Sequence, residues 1–416
     1  MLRRFLGENS INTRGFLLLT ILFISFFGWY YMTQPLIEGI LTGINPTYSE
    51  NLLIWATFYL SIIGASILGT FVSKKVSRLK FLYTWIILGT IISLLPALLA
   101  NSNIEQIWAV SLLLGASFGI GIPSFLAYFA ECTVVENRGR IGGVTFLIAN
   151  ISGPLLVILL GNFDLVTFSV LFVLLRAIGL LIFFLNPEKQ CPSPVTKNVS
   201  FMSVLRDRTF LIYFVAWSMF PLIDGFEKAL VVPYLTGFST NLFNAMGVVE
   251  PLVASFSILI AGLLCDWIGR KKIAISGFVA IGAGYGIIGL FSTYEFSWYL
   301  YFIADGIAWG IFLLMFVLIL WGDIANLNNS EKYYTIGSIP YILSSIIPII
   351  FTQTIVEGVD VTSAFSLAAL FLFAAMMPLA FAPETLPEKK MELRRLRSFA
   401  EDAKKIKEKY ERKMEK

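Results

Sequence analysis

The sequence predicts an all-α membrane protein with twelve transmembrane helices in two bundles of six and both termini in the cytoplasm. Of its 416 residues, 57% are hydrophobic and 14% are charged, whereas soluble domains average about 45–50% and about 25%. Apolar runs long enough to cross a hydrocarbon core of about 30 Å recur along the whole chain. Lysine and arginine cluster between alternate runs, on one side of the predicted membrane.

Twelve apolar segments give the expected helices in chain order. The first is too long for the core of a signal peptide, so we expect it to be retained as a helix. The segments cover residues 15–42, 51–73, 80–101, 106–130, 141–161, 165–186, 209–236, 244–265, 273–293, 297–320, 334–356 and 363–383.

The distribution of basic residues predicts the orientation. With the N-terminus inside, 29 of the 31 lysines and arginines fall in cytoplasmic segments. The other two, Arg176 and Lys228, lie within predicted helices, and no outer loop contains a basic residue. Because cytoplasmic loops carry the excess of Lys and Arg, this pattern predicts an even number of spans with both ends inside, in the cell membrane.

Four regions follow from this count. We expect an N-terminal bundle over 1–186, a cytoplasmic linker rich in proline and basic residues over 187–208, and a second bundle over 209–385. Residues 386–416 are rich in Lys, Arg and Glu, and their apolar residues recur every three or four positions. That period predicts a charged cytoplasmic helix.

The segment 262–272, which reads GLLCDWIGRKK, forms a predicted short turn between two helices. Its glycines allow close packing and chain reversal. It resembles motif A of the major facilitator superfamily, and the matching positions are Gly262, Leu264, Asp266, Gly269, Arg270 and Lys271. A degraded counterpart at 69–78 has Ser73 where the complete motif has Asp266.

The turn after the fourth span resembles that of sugar porters within the same superfamily. Tyr128, Glu131, Arg138 and Gly139 match the pattern Y-x-x-E-x6-R-G, and Pro-Glu pairs follow spans six and twelve. The resemblance implies a cytoplasmic gate of charge clusters that break when the protein opens inward. The implied gate residues are Glu131, Arg138, Glu188, Gly262, Asp266, Gly269, Arg270, Asp323 and Glu384.

The resemblance also implies two six-helix bundles that rock about a central site lined by spans one, four, seven and ten. Charges at membrane depth cost about 2.5–3.5 kcal/mol or more each, so they usually serve a function. Candidates for binding substrate or protons are Glu38, Asp224, Glu227, Lys228, Asp305 and Trp309. Glu250 in span eight is a further charge at this depth, and Glu38 fits an outer vestibule as well as a binding site.

Span seven carries the densest group of these charges. Asp224 and Lys228 are four residues apart, so they can pair on one helix face. With Glu227 adjacent, one cation would serve two acids, and one acid would be free to take a proton. Alternatively, the three residues form a neutral cluster that only holds helices together. Arg176 in span six either turns inward to an acid or stabilises the N-terminal half.

Other function classes are poorly supported by the sequence. The chain has no histidine, and its three cysteines lack the spacing of a metal or redox site. All three cysteines lie on the predicted cytoplasmic side, where thiols stay reduced. No nucleophile–base pair or nucleotide-binding loop is evident, so we expect no enzyme activity, no cofactor and no metal.

The sequence therefore predicts a secondary transporter that moves a small solute by alternating access. Proton-coupled uptake of a small polar nutrient, such as a sugar or organic acid, is the main hypothesis. A proton-driven exporter of drugs or lipophilic metabolites is the alternative, and a non-transporting receptor or scaffold is an alternative of another class. The expected partners are a small-molecule substrate, the proton and the lipid bilayer, with no nucleic acid, and the expected state is a monomer.

Overall fold

The structure, a computed structural model, describes residues 11–99, 103–160, 164–185, 200–325, 330–355, 359–386 and 396. All regular secondary structure in these ranges is helical. We number the long helices α1 (Thr13–Thr42), α2 (Tyr48–Lys75), α3 (Arg78–Leu98), α4 (Ile104–Cys132), α5 (Arg138–Leu160), α6 (Leu165–Ile182), α7 (Arg208–Phe238), α8 (Thr240–Ile268), α9 (Arg270–Phe291), α10 (Glu295–Ala325), α11 (Ser330–Phe351) and α12 (Val361–Phe381).

Within the described ranges, eleven of these helices are long and apolar enough to cross a membrane. The remaining one, α5, overlaps the predicted span 141–161, but several of its side chains lie outside the described residues. The count of twelve, the cytoplasmic placement of the termini and the bundle boundaries stay predictions. Most of the linker 187–208 and nearly all of the tail 386–416 also lie outside the described residues.

Several helices begin at residues whose side chains satisfy the free backbone N–H groups of the first turn. Thr47 and Glu50 form a capping box at the start of α2, and Asp207 caps α7. Asp164 and Asp360 cap α6 and α12, the sixth helix of each half. Hydrogen bonds from Thr167 and Ser363 lower the pKa of these two carboxyl groups, so both caps carry their charge at neutral pH.

The two sequence halves meet along two seams, where α5 packs on α8 and α2 packs on α11. Glycines allow the close approach at the first seam. A Cβ atom on Gly262 would lie 2.5 Å from the carbonyl oxygen of Gly139 and 2.9 Å from Gly143 Cα. The expectation of close packing at Gly262 is therefore confirmed.

The cysteines differ from the sequence-based expectation. Cys265 is a buried free thiol, but Cys132 is disulfide-bonded, and its partner lies outside the described residues. The expectation that all thiols are reduced is wrong for Cys132. Disulfides are rare in a reducing cytosol, although intracellular proteins of hyperthermophiles do contain them.

Candidate functional site

A cavity of about 1290 Å³ lies between the two halves of the chain. Seven helices line it: α1, α2, α5, α7, α8, α10 and α11. Gln34, Glu38, Thr42 and Asn45 are both lining residues and exposed, so the cavity opens at the face that carries the α1–α2 loop. We name the opposite face, which carries the loops at 73–80, 133–140 and 269–272, the basic face.

Asp224 and Lys228 form the predicted pair on α7, with Lys228 Nζ 2.8 Å from Asp224 Oδ2. Trp309 on α10 contacts both charged groups. Its indole Nε1 donates a hydrogen bond of 3.1 Å to Asp224 Oδ1, and Lys228 Nζ lies 4.8 Å from the centroid of its ring. All three residues line the cavity. The carboxylate is therefore neutralised locally, which is what a charge buried at this depth requires.

Glu227 is not part of this pair. It is 4% exposed, and its Oε1 accepts a hydrogen bond of 2.7 Å from the Tyr301 hydroxyl on α10. Successive residues of a helix point about 100° apart, so Glu227 faces a different neighbour from Lys228. Within the described ranges Lys228 forms an ion pair with Asp224 alone, so Glu227 is the acid of span seven that is left without a cation. The proton role expected for such an acid stays a prediction.

Two further acids lie at the cavity wall and form no ion pair with any residue that the structure describes. Asp305 on α10 is 1% exposed, and among the described residues its Oδ1 has no hydrogen-bond partner. Glu250 on α8 has a buried Oε1 that likewise has no hydrogen-bond partner among the described residues. The backbones beneath them are in contact, since a Cβ atom on Gly306 would lie 2.8 Å from the Glu250 carbonyl oxygen.

Glu38 lies at the mouth of the cavity rather than at its base. It is exposed and accepts a hydrogen bond of 3.0 Å from Gln34 Nε2, one turn earlier on α1. The position fits the vestibule role expected for it. Glu38 is therefore separate from the buried acids of α7, α8 and α10.

Arg176 does not turn inward to an acid. Its side chain is fully buried in the N-terminal half, and its guanidinium carbon lies 4.5, 5.0 and 4.6 Å from the ring centroids of Phe26, Trp29 and Trp85. In the described part of the chain its guanidinium nitrogens have no hydrogen-bond partner. Arg176 is held by aromatic rings, in line with the stabilising alternative.

On the basic face, five charged residues form an inter-half network that we name the Asp266 cluster: Arg138, Arg140, Asp266, Arg270 and Asp323. Asp266 accepts hydrogen bonds of 2.9 Å from the backbone N–H groups of both Gly139 and Arg140. These groups belong to the first turn of α5, where unpaired N–H groups and the helix dipole favour an anion. The motif A aspartate of one half therefore caps a helix of the other half.

Arginines from both halves meet at Asp323. Arg138 forms an ion pair with Asp323 Oδ1. Arg270 Nε lies 3.1 Å from Asp323 Oδ2, and Arg270 Nη1 lies 2.7 Å from Asp266 Oδ1. Arg138 is 1% exposed, and Asp266 and Arg270 are fully buried. Each charge has an opposite partner, which is the condition under which buried ions are tolerated.

Gly269 and Glu384 complete the turn between α8 and α9. Gly269 has φ of +112°, a conformation that residues with a side chain rarely adopt. Glu384 accepts hydrogen bonds of 2.8 and 3.2 Å from the N–H groups of Arg270 and Lys271 at the start of α9. Of the expected gate residues, Glu188 alone lies outside the described residues.

A second group of residues joins α2, α3, α4 and α11, and we name it the Glu331 cluster: Ser73, Arg78, Ser124, Glu131 and Glu331. Glu331 Oε2 accepts a hydrogen bond of 2.7 Å from Ser73, and its Oε1 accepts one of 2.8 Å from Ser124. Arg78 pairs with Glu131 and lies 3.1 Å from Glu331.

Sequence reasoning identified Glu131 as a gate residue but missed Glu331, Arg78 and Arg140. A signal for Glu331 was available. Ser73 stands at the motif A position that Asp266 fills in the other half, so an acid was missing there. Glu331 on α11 supplies this acid from the opposite half of the chain.

Comparison with solved structures identifies the architecture. The proton:xylose symporter XylE, an MFS protein solved with bound 6-bromo-6-deoxy-D-glucose, superposes with a TM-score of 0.66 over 89% of this chain and 96% of XylE, at 16% identity. The chain has the major facilitator fold. The human organic anion transporter MFSD10 (TETRAN) gives a TM-score of 0.63 at 13% identity, over 88% of this chain and 99% of MFSD10.

Sequence comparison is consistent with this fold. No protein-family model matches the chain. A Staphylococcus haemolyticus (strain JCSC1435) protein named "Putative proline/betaine transporter" is 26% identical over 253 residues, which cover 53% of each sequence. The alignment thus spans about half the length of this relative. With this fold and its apolar helices, the chain is a multi-pass membrane protein, and the proteins that it resembles are named as transporters rather than enzymes.

Proposed function

We propose that this protein is a secondary transporter that works by alternating access. The observation that carries the proposal is the one-sided cavity between the halves. Its mouth lies at the α1–α2 loop, while the Asp266 and Glu331 clusters join the halves on the basic face. A solute can enter from one side only, and breaking the two clusters would open the other side. In this proposal the basic face is cytoplasmic, and the described state faces outward.

Accessibility of single cysteines tests the proposal. In a chain whose three cysteines are replaced by serine, Ser345→Cys reports on the cavity. Thr335→Cys, at a position 1% exposed beneath the Glu331 cluster, reports on the closed side. In proteoliposomes an impermeant thiol reagent should label Ser345→Cys from the α1–α2 side. A transported solute should slow that labelling and speed labelling of Thr335→Cys from the basic face. Fixed labelling at both positions under all solutes would contradict alternating access.

The named relatives do not agree on a solute, since their names refer to xylose, organic anions and proline or betaine. The walls of the cavity are therefore the better guide. They include four acids and one lysine: Glu38, Asp224, Glu250, Asp305 and Lys228. This excess of negative charge disfavours an organic anion, one of the nutrients expected from the sequence, and favours a neutral or cationic polar solute.

We propose that a proton drives uptake and that Asp224, Glu227 or Asp305 carries it. Support comes from their burial, because each is at most 4% exposed, and from the single lysine available to balance them in this group. Proteoliposomes that contain a pH-sensitive dye should acidify inside when glycine betaine or proline is added outside. A variant with Asp224→Asn, Glu227→Gln and Asp305→Asn should not. Equal acidification by the triple variant would refute this assignment of the proton sites.

An exporter of lipophilic cations is the second candidate function. It is favoured by the same acids together with the aromatic side chains that line the cavity, including Tyr30, Tyr31, Trp55, Tyr59 and Tyr341. Efflux of a fluorescent lipophilic cation from energised cells tests this alternative.

The receptor or scaffold hypothesis rests on the tail, outside the described residues, and deletion of 387–416 tests it. A transporter would keep flux after the deletion, whereas a scaffold would lose its partner.

A further inference from the structure

We infer that the cavity binds a solute with a positively charged nitrogen and that Asp305 and Glu250 form the subsite for this charge. The inference rests on the proposed function, because it takes the cavity as the substrate site. It deepens that function by naming the class of substrate, and it adds Glu250 to the binding residues. A ligand would be recognised by the carboxyl groups of the cavity whose charges the protein itself leaves unbalanced.

The charge of Asp224 is satisfied within the protein. Its carboxylate is bound by Lys228 at 2.8 Å and by Trp309 at 3.1 Å. Glu227 is bound by Tyr301 and does not line the cavity. Glu38 is exposed to solvent at the mouth. Asp224 and Glu38 therefore need no ligand to balance or solvate them. Among the described residues Glu227 Oε2 also lacks a hydrogen-bond partner, but Glu227 is not part of the cavity wall that a ligand would contact.

Asp305 and Glu250 differ from the other acids that line the cavity, Glu38 and Asp224. Asp305 is 1% exposed, and in the described ranges its Oδ1 lacks a hydrogen-bond partner although the residue lines the cavity. The same is true of Glu250 Oε1. A buried polar atom without a partner costs about 1–3 kcal/mol, and more if it is charged. Because both residues line one cavity, a cation bound there would balance the charge of both carboxyl groups.

The packing of α8 on α10 holds the two acids near one another. Gly306 follows Asp305 directly and packs on the backbone of Glu250, because its missing side chain leaves room for that carbonyl oxygen. Gly310, one turn later, packs in the same way on the carbonyl of Ala254. The two carboxyl groups therefore belong to adjacent, closely packed helices rather than to loops.

The remaining walls suit an organic cation better than a metal ion. The cavity is large, and Tyr30, Tyr31, Tyr59 and Tyr341 line it. Tyr341 lies edge-on to Trp309, with ring centroids 5.7 Å apart. Aromatic faces attract alkylammonium groups through their quadrupoles. In the described ranges, no group of three or more acids, cysteines or histidines has the geometry of a metal site.

The experiment is an equilibrium binding measurement on the purified full-length protein, read as thermal stabilisation. The probes are choline, glycine betaine and the isostere of each in which a tert-butyl group replaces the trimethylammonium group. The members of each pair have the same shape and differ only in the positive charge. We expect both trimethylammonium probes to raise the melting temperature and to bind about 10- to 100-fold more tightly than their isosteres. A trimethylammonium group donates no hydrogen bond, so this ratio, about 1.4–2.8 kcal/mol, reflects electrostatic attraction to the carboxylates and the aromatic rings.

Variants assign the charge recognition to particular residues. Asp305→Asn and Glu250→Gln should each reduce the preference for the positive probe about ten-fold or more. Glu295→Gln, an exposed acid in the first turn of α10, is the matched control and should leave the preference unchanged. The melting temperature of each variant without probe shows whether it folds. Ratios within one variant cancel any general loss of stability.

Each result decides the inference. Binding of glycine betaine but not choline would also support the inference, and it would indicate that Lys228 binds the carboxylate of glycine betaine. Equal binding of a probe and its isostere, no binding by any probe, or preserved preference in both acid variants would overturn it. The proposed function fails separately. In that case the positive probes would still bind, but they would not change labelling of Ser345→Cys and Thr335→Cys.

Discussion

At the residue scale, the acid beside Ser73 is supplied by α11 and not by α2. Ser73 occupies the aspartate position, and Glu331 reaches across the seam to accept its hydrogen bond of 2.7 Å. Arg78 then lies between Glu331 and Glu131, so one cation links the two halves through two acids. The two basic-face clusters therefore use the same chemistry with the acid on opposite partners.

Because the acid lies on α11 instead of α2, loss of Glu331 should be compensated by an acid introduced at position 73. Glu331→Gln should destabilise the closed state by about 1–3 kcal/mol, because Arg78 loses one of its carboxylate partners and Ser73 loses an ionised hydrogen-bond acceptor. This free energy corresponds to a change of about 5- to 150-fold in the ratio of closed to open protein. Labelling of Thr335→Cys from the basic face should accelerate accordingly. Ser73→Asp alone should also accelerate it, since two acids would meet. The double variant, with one acid at the motif position, should label slowly again. Additive effects of the two changes would contradict this account.

Arg176 gives a second prediction at this scale. A buried charge without a counter-ion costs several kcal/mol, whereas contact with aromatic rings returns about 2 kcal/mol or somewhat more. Arg176→Met fills a similar volume without the charge, so we expect a free energy of unfolding about 0–4 kcal/mol higher than that of the wild type. The matched control is Arg206→Met, at an exposed position, which should have little effect. A clear loss of stability at Arg176 would show that the aromatic cage needs the cation.

At the scale of elements, α5 and α8 pack closely across the inter-half surface. Their glycines leave no room for side chains near the basic face, since a Cβ on Gly139 would lie 2.4 Å from Cys265 Sγ. Further along, Asn150 on α5 donates a hydrogen bond of 3.0 Å to Ser255 on α8. This seam must separate at the basic face if the halves rock, while its middle can stay in contact as a pivot.

Gly262→Ala tests the seam. The added methyl group would press on the Gly139 carbonyl oxygen, and overpacking of this kind costs about 1–3 kcal/mol. The cost falls on the closed basic face, so faster labelling of Thr335→Cys is expected. Gly247→Ala is the control on the same helix, because nothing lies within 4 Å of its added atom. Equal effects of the two substitutions would argue against a tight seam.

At the scale of the whole molecule, the basic face predicts the orientation in the membrane. Ser49 and Ser77 are exposed on opposite faces, next to the mouth of the cavity and in the α2–α3 turn. With the native cysteines replaced, an impermeant reagent should label Ser49→Cys but not Ser77→Cys in intact cells, because positive loops stay in the cytoplasm. The reverse labelling pattern would show that the topology is the opposite one, with the basic face outside. The disulfide-bonded Cys132 would then lie in an oxidising compartment.

Much of the fold was accessible from the sequence because its determinants are local. Apolar length predicts a spanning helix, and basic loops predict its direction, without reference to any other part of the chain. The pair of Asp224 and Lys228 was predictable for the same reason, since four residues of one helix separate them. The network around Asp266, Arg270 and Asp323 was expected only through a family resemblance.

Side-chain contacts between helices that are distant in the chain could be identified only from the tertiary structure. The sequence by itself determined the membrane class, the helices, the basic face and the charged residues at membrane depth. Only the packing of α7, α8, α10 and α11 decided that Glu227 binds Tyr301, that Asp305 and Glu250 face one cavity, and that Glu331 replaces the acid missing at Ser73. The physical reason is that burial and partnership of a charge depend on neighbours distant in the chain, and no local period encodes them.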